Sequence, residues 1–332
     1  MKIIADKNIP FLTGRLPEAD LIRLPASEID AEAVRDADAL IIRTRTHCDE
    51  SLLKDSKVKI IATATIGTDH IDLEWCRDND IIVRNAPGCN APGVALYVWS
   101  NLLRNGFDPD KDTLGVIGCG NVGSIVAEWG ERLGARTLVC DPPRKEKGLT
   151  DRSYLSLEEV LAQSDAVTLH TPLTHEGEHA TFHLINKQSL GHLKPGTIFI
   201  NASRGEVADT EAIIEAIEDK RIRTAVIDTW EGEPEINLHL LELASTATPH
   251  IAGYSAEGKE RATRMTLEAV GEVLDIPVDL SGLQGPYVAP LSLTPESILK
   301  HYDPQQMTDA LKTTPEEFEK LRNTYQLHSE II

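Results

Sequence analysis

Residues 114–123, LGVIGCGNVG, constrain this chain more than any other stretch. An apolar run ending at Ile117 reads as a buried strand. It breaks at Gly118-Cys119-Gly120-Asn121-Val122-Gly123 and gives way to the helical spacing of Ile125, Val126, Trp129 and Leu133. In a strand–turn–helix of this kind the first glycine makes a tight turn. The second lets a pyrophosphate approach the backbone, and the third lets the helix pack closely on the strand. The helix start adds unpaired N–H groups and a partial positive charge. A second strand, 136–140, ends in Asp141, about 20 residues past the first glycine, where an acid meets the ribose hydroxyls of NAD. Gly118, Gly120, Gly123 and Asp141 together predict a dinucleotide site, against the plainer alternative of a glycine-rich strand–turn–helix.

Upstream, short apolar runs at 2–5, 20–24, 39–43, 59–64 and 81–83 alternate with helical patterns at 30–35, 50–53 and 70–77. Such alternation predicts parallel strands with helices on both faces. Ligands of these sheets lie beyond the carboxyl ends of strands. Two junctions therefore matter: Arg43-Thr44-Arg45-Thr46, which is otherwise a solvated loop, and residues 63–68. The breaker-rich stretch 85–93 marks a crossover, with a helix expected over 94–104. Downstream, strands are expected at 166–170, 197–201, 224–227 and 246–248, with helices at 157–163, 187–193, 210–219 and 256–274. The polar clusters Thr171-Pro172, Ala202-Ser203-Arg204-Gly205, Asp228 through Pro234, and Pro249-His250 each end a strand. Segments far apart in sequence would thus line one crevice.

Composition removes several functions. The 332 residues carry Lys+Arg 33 against Asp+Glu 53, a formal charge of −20, which argues against nucleic acid and anionic membranes as partners. No apolar run reaches a membrane span, and Asp6 interrupts the N-terminus too early for a signal peptide. The five cysteines are scattered without metal-ligand spacing, so no metal site is expected. Free thiols in a reducing cytoplasm are the expected state.

Oxidising a hydroxyl beside a carboxylate needs a cation to hold the carboxylate, a base for the hydroxyl proton and a group that orients the base. Arg204 suits the first task, since guanidinium grips carboxylate in bidentate fashion. His250 suits the second, because imidazole titrates near neutrality, and Glu233 the third. Singly, each has a plain alternative: a helix-entry ion pair, a loop charge before proline, a partly buried histidine. Together, downstream of the nucleotide fingerprint, they form a catalytic set.

The glycine-rich turn with its Asp141, followed by Arg204, Glu233 and His250 in that order, resembles the D-isomer-specific 2-hydroxyacid dehydrogenases. The resemblance implies an α/β fold of two doubly wound parallel-sheet domains. A Rossmann-type NAD domain, 91–253, would be inserted into a flavodoxin-like split substrate domain, 1–90 plus 254–282. Residues 283–332 would be a short C-terminal extension serving a homodimer. Arg204, Glu233 and His250 would carry catalysis, with His250 exchanging the hydroxyl proton. Asn121, Val122, Asp141, Thr171, Ala202, Ser203, Arg204, Asp228 and Gly253 would contact NAD, and Thr44, Thr65 and Tyr254 the substrate. Strings such as residues 63–70 and 250–259 are more specific than the general family motifs and imply a small phosphorylated 2-hydroxy acid. Arg43 or Arg45 is expected to meet its phosphate, because the cleft needs a cation there and no Lys-rich loop offers one. Two rivals stay open: a relative acting on 3-phosphoglycerate or glycerate, and a non-catalytic NAD-sensing binding protein. Near the end, Thr314-Pro315 reads as a helix start, with Thr314 as cap.

Overall fold

The computed structural model describes residues 1–149 and 152–331. The chain divides into two compact units. One is Met1–Asn90 with Ser255–Val288; the other is Ala91–Tyr254 with the described residues from Ala289 onward.

The first unit holds five parallel strands: β1 (Lys2–Asp6), β2 (Asp20–Leu24), β3 (Ala39–Ile42), β4 (Ile60–Thr63) and β5 (Ile82–Arg84). Their order is β2-β1-β3-β4-β5, the flavodoxin-like arrangement. Strands buried on both faces read as continuous apolar runs, and β3 and β4 are buried at every position. One face is covered by short local helices contributing Val34, Leu52, Leu53 and Cys76. The other face, with Ile3, Ala5, Ala39, Ile41, Ile60 and Ala62, is covered by Leu267, Val270 and Leu274 of the distant helix Ala256–Leu274. Here the first unit regains a piece of chain lying some two hundred residues downstream of its sheet.

The second unit holds β6 (Thr113–Ile117), β7 (Arg136–Cys140), β8 (Ala166–Leu169), β9 (Thr197–Asn201), β10 (Ile222–Ile227) and β11 (Thr246–Ala247), all parallel. Their order is β11-β10-β9-β8-β6-β7. Tyr154 adds a single parallel bridge beyond β7, at Val139, a remnant of the outer strand of the six-stranded dinucleotide fold. The order reverses between β6 and β8, so the switch point lies at their carboxyl ends. The helices Ala91–Arg104 and Asn121–Leu133 pack closely, because Gly130 offers no Cβ where one would lie 3.1 Å from the Trp99 ring. The Trp99 indole N–H donates to the Val126 carbonyl at 3.0 Å.

Two expectations are corrected. The helix expected from 94 starts at Ala91, taking Pro92 and Gly93 into its first turn, where proline costs no hydrogen bond. Thr314 does not cap the following helix. Its hydroxyl donates back to Ala310 O at 3.1 Å, and a 3-10 turn, Pro315–Glu317, precedes the helix Phe318–Thr324. Of the C-terminal stretch, the described residues to Val288 group with the first unit and those from Ala289 with the second. Tyr302 anchors that last segment. Its carbonyl accepts from Ser100 Oγ at 2.7 Å and from Arg104 Nη2 at 3.0 Å.

Candidate active site

The dinucleotide turn shows what each glycine is for. Gly118 has φ +88, and a Cβ there would lie 2.7 Å from the His170 carbonyl at the end of β8. A Cβ at Gly123 would lie 1.9 Å from the Gly118 carbonyl. Packing inside the protein thus demands both glycines. Gly120 is different: a Cβ there would meet nothing within 4 Å. A side chain at Gly120 would fill only the open space above the helix N-terminus, the place a pyrophosphate takes in this fold. Asn121 and Val122 open that helix on its exposed side.

Asp141, at the end of β7, accepts from Cys119 N–H at 2.7 Å with one oxygen and from Arg144 N–H at 3.0 Å with the other. It therefore ties the glycine turn to the next short helix, and each oxygen keeps a second acceptor site. At the end of β8, His170 Nδ1 and Thr171 Oγ1 are buried without a hydrogen-bond partner among the described residues. Burial pushes the His170 ring down to about 3, so it is neutral at physiological pH. An open cradle, an oriented carboxylate and two orphaned polar atoms beside it fit an NAD molecule.

Three loops at the ends of β9, β10 and β11 bring the remaining second-unit candidates together. After β9, Asn201 Oδ1 accepts from Ser203 N–H at 3.1 Å and from Ser203 Oγ at 2.9 Å. Asn201 Nδ2 donates to the Arg204 carbonyl at 3.0 Å. Ala202 rides on this turn. Gly205 follows, where a Cβ would lie 2.0 Å from the Trp230 carbonyl carbon. Arg204 is thereby held against the loop after β10 with its guanidinium folded back, Nη1 to Ser203 O at 2.8 Å.

After β10, Asp228 is fully buried. Its carboxylate accepts from Thr248 Oγ1 at 2.6 Å, Ile251 N–H at 2.8 Å and Ala252 N–H at 3.0 Å. Burial raises the Asp228 carboxyl, against the charge of His250 and these hydrogen bonds. The sequence reading places Asp228 at NAD. In the fold its carboxylate fixes the backbone that carries His250 and leads to Gly253. His250 itself has φ +55, and its N–H donates to Asp228 O at 2.8 Å. Left-handed backbone is unusual for histidine; two flanking bonds to Asp228 hold it.

The imidazole is oriented from the other side. Glu233 Oε1 accepts from Trp230 N–H at 2.8 Å, and Oε2 meets His250 Nδ1 at 2.9 Å. Burial would push the Glu233 carboxyl up. The His250 charge and hydrogen bond, the Trp230 N–H and the Arg322 charge outweigh it and hold the carboxyl below the usual range. An ionised carboxylate only accepts, so Nδ1 carries a hydrogen. The neutral ring therefore has its lone pair on Nε2, the nitrogen of a base or, once protonated, of an acid.

Tyr254 belongs to the second unit, not to the unit containing the other expected substrate residues. Its hydroxyl accepts from Arg322 Nε at 3.1 Å. Sequence reasoning missed Arg322, for no local signal ties residue 322 to residue 254. In the first unit, Arg43 and Thr44 follow β3 and Thr65 follows its neighbour β4, so the parallel register gathers them at one sheet end. Arg43 Nε lies 3.0 Å from the fully buried Asp6 carboxylate. Thr65 Oγ1 lies 2.6 Å from Thr63 Oγ1, which meets His70 Nε2 at 3.2 Å. Thr44 and Arg45 are exposed. No cluster of metal-ligating side chains occurs among the described residues, and none of their helices is long and apolar enough to cross a membrane.

Residues 94–252 match the family model of the D-isomer specific 2-hydroxyacid dehydrogenase NAD binding domain. The chain belongs to the D-isomer-specific 2-hydroxyacid dehydrogenases, and it is an NAD-dependent oxidoreductase. Within that family it is similar to proteins of a particular name. The erythronate-4-phosphate dehydrogenase of Bacteroides fragilis is 44% identical over 339 residues, covering 99% of this chain and 97% of the relative. That of Porphyromonas gingivalis is 41% identical, covering 98% and 92%. Among solved structures, D-lactate dehydrogenase from Aquifex aeolicus complexed with NAD and lactic acid superposes with a TM-score of 0.66. It is 27% identical, over 86% of this chain and 100% of the other.

Proposed function

We propose that this chain oxidises 4-phospho-D-erythronate at C2 to 2-oxo-3-hydroxy-4-phosphobutanoate, as a step of pyridoxal 5'-phosphate biosynthesis in the cytoplasm. The observation that carries the chemistry is the Glu233–His250 pair, which fixes the imidazole with Nε2 as the proton acceptor. The substrate is supported by the erythronate-4-phosphate dehydrogenases, 41–45% identical over nearly the full chain. A 3-phosphoglycerate dehydrogenase structure from Entamoeba histolytica is 25% identical.

In this reading Arg204 holds the carboxylate and draws electron density from C2. His250 Nε2 takes the hydroxyl proton, and the resulting imidazolium is stabilised across Nδ1 by Glu233. When bound, NAD would supply the hydride acceptor. The glycine turn, Asn121 and Val122 would hold its pyrophosphate and Asp141 its ribose, and Thr171, Ala202, Ser203, Arg204, Asp228 and Gly253 would contact the rest. Within the first unit Arg43, Thr44 and Thr65 are assigned to substrate, and within the second Tyr254. The working form is a homodimer, which light scattering would report as twice the 36.5 kDa chain mass.

The test is turnover by purified protein on 4-phosphoerythronate, erythronate, 3-phosphoglycerate and glycerate. A 2-oxo acid is supplied to reoxidise NADH, and the keto acid formed is followed directly. Preference for 4-phosphoerythronate by at least tenfold in kcat/KM is expected; preference for another acid overturns the assignment.

A further inference from the structure

We propose that Arg322, on the C-terminal helix Phe318–Thr324, is a specificity-determining residue that binds the phosphoryl group of the substrate. The inference rests on the dehydrogenase reading above and adds to it a residue of the C-terminal segment that the sequence analysis assigned no role.

Four observations lead to it. First, Arg322 reaches the catalytic loops of its own unit: Nε donates to the Tyr254 hydroxyl at 3.1 Å, four residues past His250. Its charge is also felt at Glu233. Second, its nearest acid is a loose partner. Glu319 Oε1 lies 3.8 Å from Nη1, beyond hydrogen-bond distance. Arg43, by contrast, already lies 3.0 Å from a fully buried carboxylate, Asp6.

Third, the segment carrying Arg322 is pinned down. Tyr325 packs edge-on to Tyr254 with centroids 6.3 Å apart, and its hydroxyl lies 3.1 Å from His328 Nδ1. His328 in turn packs on Tyr302 at 4.7 Å, the residue bonded to the helix Ala91–Arg104. The Arg322 side chain is accordingly only 19% exposed. Holding a cation in such a place costs free energy that a surface position would not.

Fourth, a phosphoryl group gives the substrate a second anion, which needs a cation of its own. Arg204 cannot serve both ends, being the cation for the carboxylate. A guanidinium also presents several coplanar N–H groups, which match phosphoryl oxygens. The substrate's second anion would thus be read by the end of the chain.

The experiment compares wild type with Arg322→Gln and Arg322→Lys on 4-phosphoerythronate and on unphosphorylated erythronate. Binding of inorganic phosphate to the NAD-loaded proteins is titrated by calorimetry in parallel. Expected in R322Q is a KM for the phosphorylated acid raised at least tenfold, with kcat changed less than threefold. Its preference over erythronate should fall at least tenfold, phosphate affinity should drop with it, and R322K should recover part of each. An equal loss on both acids, or no change on either, overturns the proposal, because it makes Arg322 a structural residue. Should R322Q fail to fold, R322K decides by the same ratio. Should wild type not turn over 4-phosphoerythronate at all, the function proposed above fails. Phosphate titration then decides alone: binding weakened tenfold in R322Q supports the anion site, and unchanged binding overturns it.

Discussion

The Glu233–His250 contact is a statement about protons. The His250 charge and hydrogen bond help hold Glu233 below the usual carboxylate range, so Glu233 stays an acceptor for Nδ1–H. In Glu233→Gln the kcat for alcohol oxidation should fall, because an amide can turn either its oxygen or its NH2 toward Nδ1 and no longer fixes which nitrogen is the base; an unchanged kcat would remove Glu233 from that role. His250→Gln should cost more, on the order of 10²- to 10⁴-fold in kcat, with little effect on NAD affinity. Similar losses of NAD binding and of rate in H250Q would show that the ring supports the fold and does not move the proton. Asp141 belongs to the same scale. Asp141→Ala removes the carboxylate that would repel a 2'-phosphate, so the NAD over NADP preference in kcat/KM should relax; an unchanged ratio would remove Asp141 from the ribose site. That Glu233 and His250 meet was legible in the sequence, because each lies in a loop where a strand stops. Arg322 was not, because only the folded path of the C-terminal segment brings it to Tyr254.

At the level of elements, the glycine turn separates into parts made for packing and a part made for ligand. Gly123→Ala would set a Cβ 1.9 Å from the Gly118 carbonyl, and the strand–helix contact would have to open. We expect a loss of about 2–4 kcal/mol in chemical denaturation, the scale of overpacking a rigid core. Gly120→Ala meets nothing in the protein. It should leave stability within about 1 kcal/mol, since Gly120 is the N-cap of the helix, where Ala is only modestly less favourable than Gly, while weakening NAD binding at least tenfold. Equal NAD affinity in G120A and wild type would show that the cradle is not where the pyrophosphate lies. Most elements could be read from the sequence, since parallel strands buried on both faces announce themselves as apolar runs between turn residues. Boundaries failed where one side chain had two uses. Pro92 and Gly93 read as breakers, yet a helix's first turn tolerates both. Thr314 reads as a cap, yet its hydroxyl closes the preceding helix.

Across the described residues burial lowers three histidines: His70, His170 to about 3 and His328 to about 4. Unfolded histidine titrates near 6.5. As pH falls below that value the unfolded chain binds protons that the native state refuses, so stability declines through the window between 6.5 and about 4 for His328. His328→Gln should flatten that decline by about 1–2 kcal/mol between pH 6.5 and 5, read from urea midpoints at the two pH values. An identical slope in H328Q would place the acid sensitivity elsewhere. The division of the chain has a consequence for its making. The face of the first sheet bearing Ile3, Ala5, Ile41 and Ile60 is covered by Leu267, Val270 and Leu274. On the ribosome that face emerges early and its cover late; at about 5–20 residues per second the interval is on the order of 10–40 s. During that time the nascent chain shows a wet apolar sheet to whatever else is in the cell. That exposure is written into the order in which the segments leave the ribosome, although the finished protein keeps no trace of it.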